Sequence, residues 1–297
     1  MENNIKIATV CGLCAGCTYA INQTQNALDE GKNVTLFKEI VHNKNVNQAL
    51  ISKGAVFAEN LEDLKGAETI IIRAHGEPPE TYDFLNANKI DFKDCTCPRV
   101  EKIHEEVKKY ADDGYFIIIL GKFHKALHPE VLGTMGYANG RYILVENEDD
   151  LARVETLKNE KVYLVCQTTF NIKKADELIE IIEMLLSKNH STLVINKSIC
   201  DAQKFINLSS AELAKQVDAM IVVGGKNSSN SLELYKNISS ICPSVFIEDI
   251  NEYKSALADS GITLSKNIKI GITAGASTNR AELEELKELI NKDLGEL

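Results

Sequence analysis

The sequence contains no tryptophan and only five prolines, and aromatic residues make up 6% of its 297 positions. With so little proline, no stretch reads as an extended, proline-rich linker. No segment is Ser/Gly-rich or low in complexity either, so closely packed modules are expected. Basic residues are not in excess. The formal charge is −10, which argues against an electrostatic grip on nucleic acid or an anionic membrane. Long apolar runs are also missing. Stretches such as Tyr115 to Leu120 are far too short to span a bilayer. The first residues, Met1-Glu-Asn-Asn-Ile-Lys, lack the layout of a secretory signal. A cytoplasmic location, with no membrane and no nucleic-acid partner, is the expectation.

Against these absences stand eight cysteines. In a reducing compartment structural disulfides are uncommon, so the count points to metal or redox chemistry.

Short β-branched runs recur along the chain and read as buried strands. They are Ile5–Val10, Val34–Phe37, Thr69–Ile72, Phe116–Leu120, Tyr142–Val145, Val162–Val165, Thr192–Ile195, Met220–Val223, Ser244–Ile247 and Ile268–Ile272. Between them lie stretches with helical spacing, such as Val100, Ile103 and Val107, or Leu283, Leu286 and Leu289. Strands alternating with helices predict an α/β fold with largely parallel sheets.

Cys14, Cys97 and Cys200 recur in one setting, each between a strand-like stretch and an amphipathic helix. Pro98, a favoured first helical residue, follows Cys97. The spacing predicts three α/β modules: 15–97, 98–199, and 200–297 completed by the N-terminal strand 1–14. A helix N-terminus carries partial positive charge and free N–H groups. It therefore favours thiolate, the form a metal requires. Three such thiolates suit a [4Fe–4S] cluster with one open iron site, although free cysteine also serves as a small buried hydrophobe.

In parallel sheets ligands bind beyond the carboxyl ends of the strands. The strand-end loops supply His42, His75, His128 with Glu130, Thr168, the run Gly224-Gly-Lys-Asn-Ser-Ser-Asn-Ser, and Ser277. Gly/Ser/Asn loops that precede helices suit phosphate oxygens, and the histidines can donate to the same anion. Glu130 suits a general acid if burial raises its pKa. His104, His124 and His190 lack this setting and read as surface or structural residues.

Leu13-Cys-Ala-Gly, Ile40-Val-His-Asn, Ala74-His-Gly, Thr96-Cys-Pro, His128-Pro-Glu-Val-Leu-Gly-Thr-Met-Gly, Gln167-Thr-Thr, Lys226-Asn-Ser-Ser-Asn-Ser and Thr273-Ala-Gly-Ala-Ser occur in this order. Together they resemble the 4-hydroxy-3-methylbut-2-enyl diphosphate reductase (IspH/LytB) family, over essentially the whole chain. The resemblance implies a three-lobed, pseudo-threefold α/β trefoil around a central iron–sulfur cluster. It implies reductive removal of the allylic hydroxyl of 4-hydroxy-3-methylbut-2-enyl diphosphate, giving isopentenyl and dimethylallyl diphosphate. It also implies Cys14, Cys97 and Cys200 as cluster ligands. His42, His75, His128, Ser228, Ser229, Asn230 and Ser277 would contact the diphosphate. Glu130 would relay protons, and Thr168 would lie near the substrate alcohol. Ferredoxin or flavodoxin would be the electron donor.

The sequence departs from the family pattern in places. Cys17 stands where Val is usual, Tyr19 where Arg is usual, and Gln203 where a Thr near the substrate is usual. The His-Pro-Glu loop is longer around Phe123 to Ala126, and Cys95 and Cys166 are further departures. Four thiols, those of Cys11, Cys17, Cys95 and Cys166, suffice in number for a second or enlarged iron–sulfur centre. This supports the reading of a related enzyme that reduces a different small molecule. A non-catalytic iron–sulfur sensor or electron carrier is a third reading, but it would need neither strand-end histidines nor a general acid.

Overall fold

The β-branched runs become strands where both of their faces can be covered. The computed structural model describes residues 4–41, 44–124, 128–226, 228–275 and 278–296, with the side chains of residues 44, 45, 229 and 296 also outside the description. β1 (Ile5–Ile7) opens the chain. β2 (Val34–Phe37), β3 (Val56–Ala58), β4 (Thr69–Ile72) and β5 (Phe92–Asp94) form one sheet, in the order β3-β2-β4-β5. β6 (Phe116–Leu120), β7 (Tyr142–Val145), β8 (Lys161–Cys166) and β9 (Thr192–Asn196) form a second, in the order β7-β6-β8-β9. β10 (Ala219–Val223), β11 (Ser244–Ile247) and β12 (Ile270–Ala274) form a third with β1, in the order β1-β12-β10-β11. All pairings are parallel. Counted along the chain, with β1 closing the third set, every sheet has the order second-first-third-fourth.

β3 and β5 do not stand out in the sequence. Both are short edge strands, and each has an exposed position (Val56 in β3, Lys93 and Asp94 in β5) where a central strand would carry a buried apolar one. The central strand β6 is the opposite case. Ile118 and Leu120 face a core shared with Leu164, Cys166 and the helix Ile172–Lys188. Ile117 and Ile119 face another, shared with Val165 and the helix Pro98–Asp112. Full burial of each such side chain is worth about 1.5–3 kcal/mol, and covering both faces explains why the run is continuously apolar.

The chain divides into two compact units. One comprises Met1–Thr18, Val41–Lys53 and Asp201–Leu297, the other Tyr19–Ile40 and Gly54–Cys200. The sheet with β1 lies in the first unit and the other two sheets lie in the second. Among the described residues no helix is long and apolar enough to cross a membrane.

Candidate active site

In the second unit, three strand-end loops hold the titratable groups. Beyond β6, Gly121 and Lys122 lead to His128, the N-cap of the helix Pro129–Gly136. Pro129 fixes the first turn, and His128 Nδ1 accepts from the Glu130 backbone N–H at 3.3 Å. Glu130, on that first turn, is 2% exposed. Its Oε1 accepts from the Thr168 backbone N–H at 2.6 Å, and its Oε2 accepts from Thr168 Oγ1 at 2.6 Å. Burial pushes the carboxyl up from 4.5 to about 7, against the downward pull of the two hydrogen bonds from Thr168. A carboxylic acid that titrates near neutrality can deliver a proton. The His75 ring lies edge-on to His128, with centroids 5.5 Å apart. His75, His128, Glu130 and Thr168 are thus brought together.

The loop of His75 is pinned by residues the motif reading passed over. Arg73 and Glu77 flank it and form a buried ion pair at 2.8 Å, and Lys38 Nζ reaches Glu77 at 3.3 Å. The signal was available, because Arg73 and Glu77 stand four apart with opposite charge around His75-Gly76. Gly76 takes φ +69, and a Cβ there would lie 2.7 Å from His104 Cε1. A Cβ on Gly133 would meet the same ring at 3.1 Å. His104 therefore packs between the His75 loop and the helix Pro129–Gly136, stacked on Tyr137 at 4.6 Å, and burial lowers its pKa to about 4. It is structural, as its mid-helix place predicts. Gln167 is a further missed residue. Its Oε1 accepts from the Lys122 N–H at 2.9 Å and so ties the β8 loop to the β6 loop.

The thiols follow the helix starts. Cys97 is the N-cap of the helix Pro98–Asp112, and its N–H donates to the Ala74 carbonyl at 3.0 Å. Cys200 directly precedes the helix Asp201–Ala214, and its N–H donates to the Thr168 carbonyl at 2.7 Å. In the first unit, Cys14 directly precedes the helix Ala15–Asp29, and its carbonyl accepts the Thr18 N–H at 2.9 Å. A hydrogen bond from the Cys17 thiol, helped by the backbone N–H groups of Cys17 and Gly16, lowers the Cys14 thiol from 9.0 to about 6. Gly12 makes the approach possible. It has φ +78, and a Cβ there would lie 2.6 Å from the Thr278 carbonyl oxygen. Gly12 and Leu13 donate to the Ala274 and Thr278 carbonyls at 3.1 and 2.8 Å, which sets the Cys14 turn against the end of β12.

Also in the first unit, Ser228 caps the helix Ser229–Ser239, accepting from the Ser231 N–H at 3.3 Å. Asn230 is half-buried in its first turn. Ser231 is fully buried against Gly224 and Gly275, where a Cβ would come within 2.5 and 2.1 Å of its Oγ. The β10 and β12 loops therefore close on one serine at a helix N-terminus, an arrangement suited to anions. His42, Ser277 and the Ser229 side chain lie outside the described residues.

The four additional cysteines differ in setting, two half-buried and two buried. Cys166 is fully buried in the apolar core beneath the helix Ile172–Lys188, and burial raises its thiol to about 12. Cys95 is fully buried, with its thiol raised to about 11 by the same cause. Cys11 packs against apolar neighbours, and its thiol donates to the Ala8 carbonyl at 3.2 Å. Cys17 is hydrogen-bonded to Cys14. These settings lend no support to the expected enlarged or second centre. Desolvation disfavours thiolate at Cys95 and Cys166, and these two fill space as small hydrophobes. Among the described residues no three His, Cys, Asp or Glu side chains are grouped as for a single metal ion.

The LytB protein family pattern matches residues 5–291. The 4-hydroxy-3-methylbut-2-enyl diphosphate reductase of Clostridioides difficile (strain 630) is 34% identical over 284 residues, covering 95% of this chain and 97% of the relative. That of Aquifex aeolicus (strain VF5) is 35% identical over 294 residues, covering 97% and 96%. A solved structure of (E)-4-hydroxy-3-methyl-but-2-enyl diphosphate reductase, described as the terminal enzyme of the non-mevalonate pathway, superposes with a TM-score of 0.76 at 32% identity, covering 97% of this chain and 99% of that one. The E-1-hydroxy-2-methyl-but-2-enyl-4-diphosphate reductase of Plasmodium falciparum superposes with a TM-score of 0.78 at 28% identity, covering 96% of this chain and 87% of that one. With a match over nearly its whole length, the chain belongs to the LytB family.

Proposed function

We propose that this chain is an iron–sulfur oxidoreductase that removes the allylic hydroxyl of 4-hydroxy-3-methylbut-2-enyl diphosphate as water. Two electrons and two protons are consumed, and isopentenyl and dimethylallyl diphosphate are formed. The observation that carries the reading is the buried Glu130, held at both oxygens by Thr168 and titrating near 7 beside His128.

Cys14, Cys97 and Cys200 would hold a [4Fe–4S] cluster with one iron free of protein ligands. The donor set suits it, because soft sulfur ligands stand at three helix N-termini. A cluster bound there supplies the electrons that break the carbon–oxygen bond. The protein's own groups do the rest. Glu130 holds the proton destined for the departing hydroxyl and delivers it below about pH 7. Thr168 Oγ1 orients the carboxyl. His42, His75, His128, Ser228, Ser229, Asn230 and Ser277 bind the diphosphate, with the histidines as donors and Ser228 and Ser229 at a helix N-terminus.

The three modules 15–97, 98–199 and 200–297 with 1–14 belong to the same reading, supported by the strand order repeated in each. A ferredoxin or flavodoxin type donor and a cytoplasmic setting fit the chemistry and the acidic charge of −10.

The test is anaerobic reconstitution with iron and sulfide, reduction by a one-electron donor, and product analysis with the diphosphate substrate. The two alkenyl diphosphates should form, and Glu130→Gln should slow their formation by about 10²–10⁴-fold while the iron content stays unchanged. A loaded chain that leaves this diphosphate intact would overturn the proposal.

A further inference from the structure

Cys14-Ala-Gly-Cys17 is a C-x-x-C sequence placed across a helix start. Cys14 directly precedes the helix, and Cys17 lies in its first turn. Residues three apart on a helix are neighbours. Here the Cys17 thiol donates a hydrogen bond to the Cys14 sulfur. Both residues are half-buried, so a small oxidant can reach them. No other pair of cysteines shares this setting among the described residues. Cys11 is turned to the Ala8 carbonyl, and Cys95 and Cys166 are sealed in the interior. Cα separations of about 4.4–6.8 Å suit a disulfide, and C-x-x-C at a helix N-terminus is the arrangement of dithiol–disulfide proteins.

We infer that Cys14 and Cys17 form a reversible intramolecular disulfide in the iron-free chain, a thiol-redox gate on cofactor loading. The oxidant is a low-molecular-weight disulfide. The Cys14 thiolate attacks one of its sulfurs and releases one thiol, leaving a mixed disulfide. Cys17 then loses its proton, attacks the Cys14 sulfur and releases the second thiol. Two protein thiols are oxidised to one disulfide, and one small disulfide is reduced to two thiols. A dithiol reductant reverses the exchange. While oxidised, Cys14 is unavailable as a ligand. This consequence rests on the ligand reading above, whereas the disulfide itself does not.

The experiment uses the full chain, iron-free and reduced, then equilibrated with oxidised glutathione. Free thiols are alkylated and the digest is analysed by mass spectrometry without reductant. The native chain should lose two hydrogens within the peptide that carries Cys11, Cys14 and Cys17. Cys11→Ser should retain that loss, and Cys17→Ser or Cys17→Val should abolish it, with circular dichroism confirming that each variant is folded. Absence of the species in the native chain, its persistence in both Cys17 variants, or conversion to glutathione adducts alone would overturn the inference. The oxidised chain is then offered iron and sulfide. Loading should fall by about tenfold or more against the reduced chain, because a ligand is lost, and should not fall in Cys17→Val. If the disulfide forms but loading is unaffected, the gating role and the ligand assignment of Cys14 fail together, and only the disulfide stands.

Discussion

Glu130 accepts two hydrogen bonds from one residue, the backbone N–H and the side-chain hydroxyl of Thr168, each at 2.6 Å. A carboxyl gripped this way cannot rotate, and its environment fixes where it titrates.

That value sets a pH dependence of stability. The folded protein holds the Glu130 proton more tightly than the unfolded chain does, with a value of about 7 against 4.5. The resulting stabilisation is full below about pH 4.5 and is lost as pH rises through about 7, an effect of roughly 3 kcal/mol. Thermal melts across this window should show the native chain losing stability as pH rises. Glu130→Gln should flatten that slope and lower turnover by about 10²–10⁴-fold. An unchanged slope in the variant would assign the titration to another group.

Thr168→Val keeps the backbone N–H but removes the hydroxyl. The lost hydrogen bond had pulled the Glu130 value down, so the pH limb of turnover should move upward. Stability should fall by about 1–2 kcal/mol. The pH–rate profile of the variant beside the native enzyme checks both the sign and the assignment.

Gly76→Ala tests the packing around His104. The left-handed backbone alone costs a non-glycine residue about 1–3 kcal/mol, and the new Cβ would lie 2.7 Å from His104 Cε1. His104→Ala makes room for it. In a double-mutant cycle the pair should cost less than the two single changes combined, by about 0.5–3 kcal/mol. Additive effects would show that the ring does not constrain the His75 turn.

Glu77→Gln leaves Arg73 buried without its counter-charge. Breaking a buried pair from one side costs about 3–5 kcal/mol. Because the pair brackets His75, KM for the diphosphate should also rise in the folded fraction. Denaturant unfolding read together with steady-state kinetics separates the two effects.

Cys166→Ala should leave the iron content of the reconstituted protein unchanged and cost about 1–2 kcal/mol as a small cavity. Cys97→Ser should do the reverse, keeping the fold and losing iron. Iron counting beside a melting curve distinguishes these outcomes.

Much of this was legible in the sequence. β2, β4, β6, β7 and β11 fall on the residues their β-branched runs picked out. Pro98 marked the start of a helix, so the setting of Cys97 could be read directly. β3 and β5 were not legible, since each is only three residues long and carries exposed positions. Nor was the fate of Cys95 and Cys166. Proximity to a motif along the chain does not say which face of a strand a side chain occupies. Cys166 closes β8 on the core side, and one residue later Gln167 turns to the loops. Arg73 and Glu77 were passed over for a different reason: their opposite charges are visible in the sequence, but an ion pair that braces a loop presents no catalytic residue type.

Thr168 is engaged at a third atom. Its carbonyl accepts the N–H of Cys200 at 2.7 Å while its nitrogen and hydroxyl hold Glu130. One residue therefore works as a caliper, with the acid in one jaw and the thiol's backbone in the other. Two successive peptide units of one residue thus tie the proton source to the backbone of the Cys200 turn.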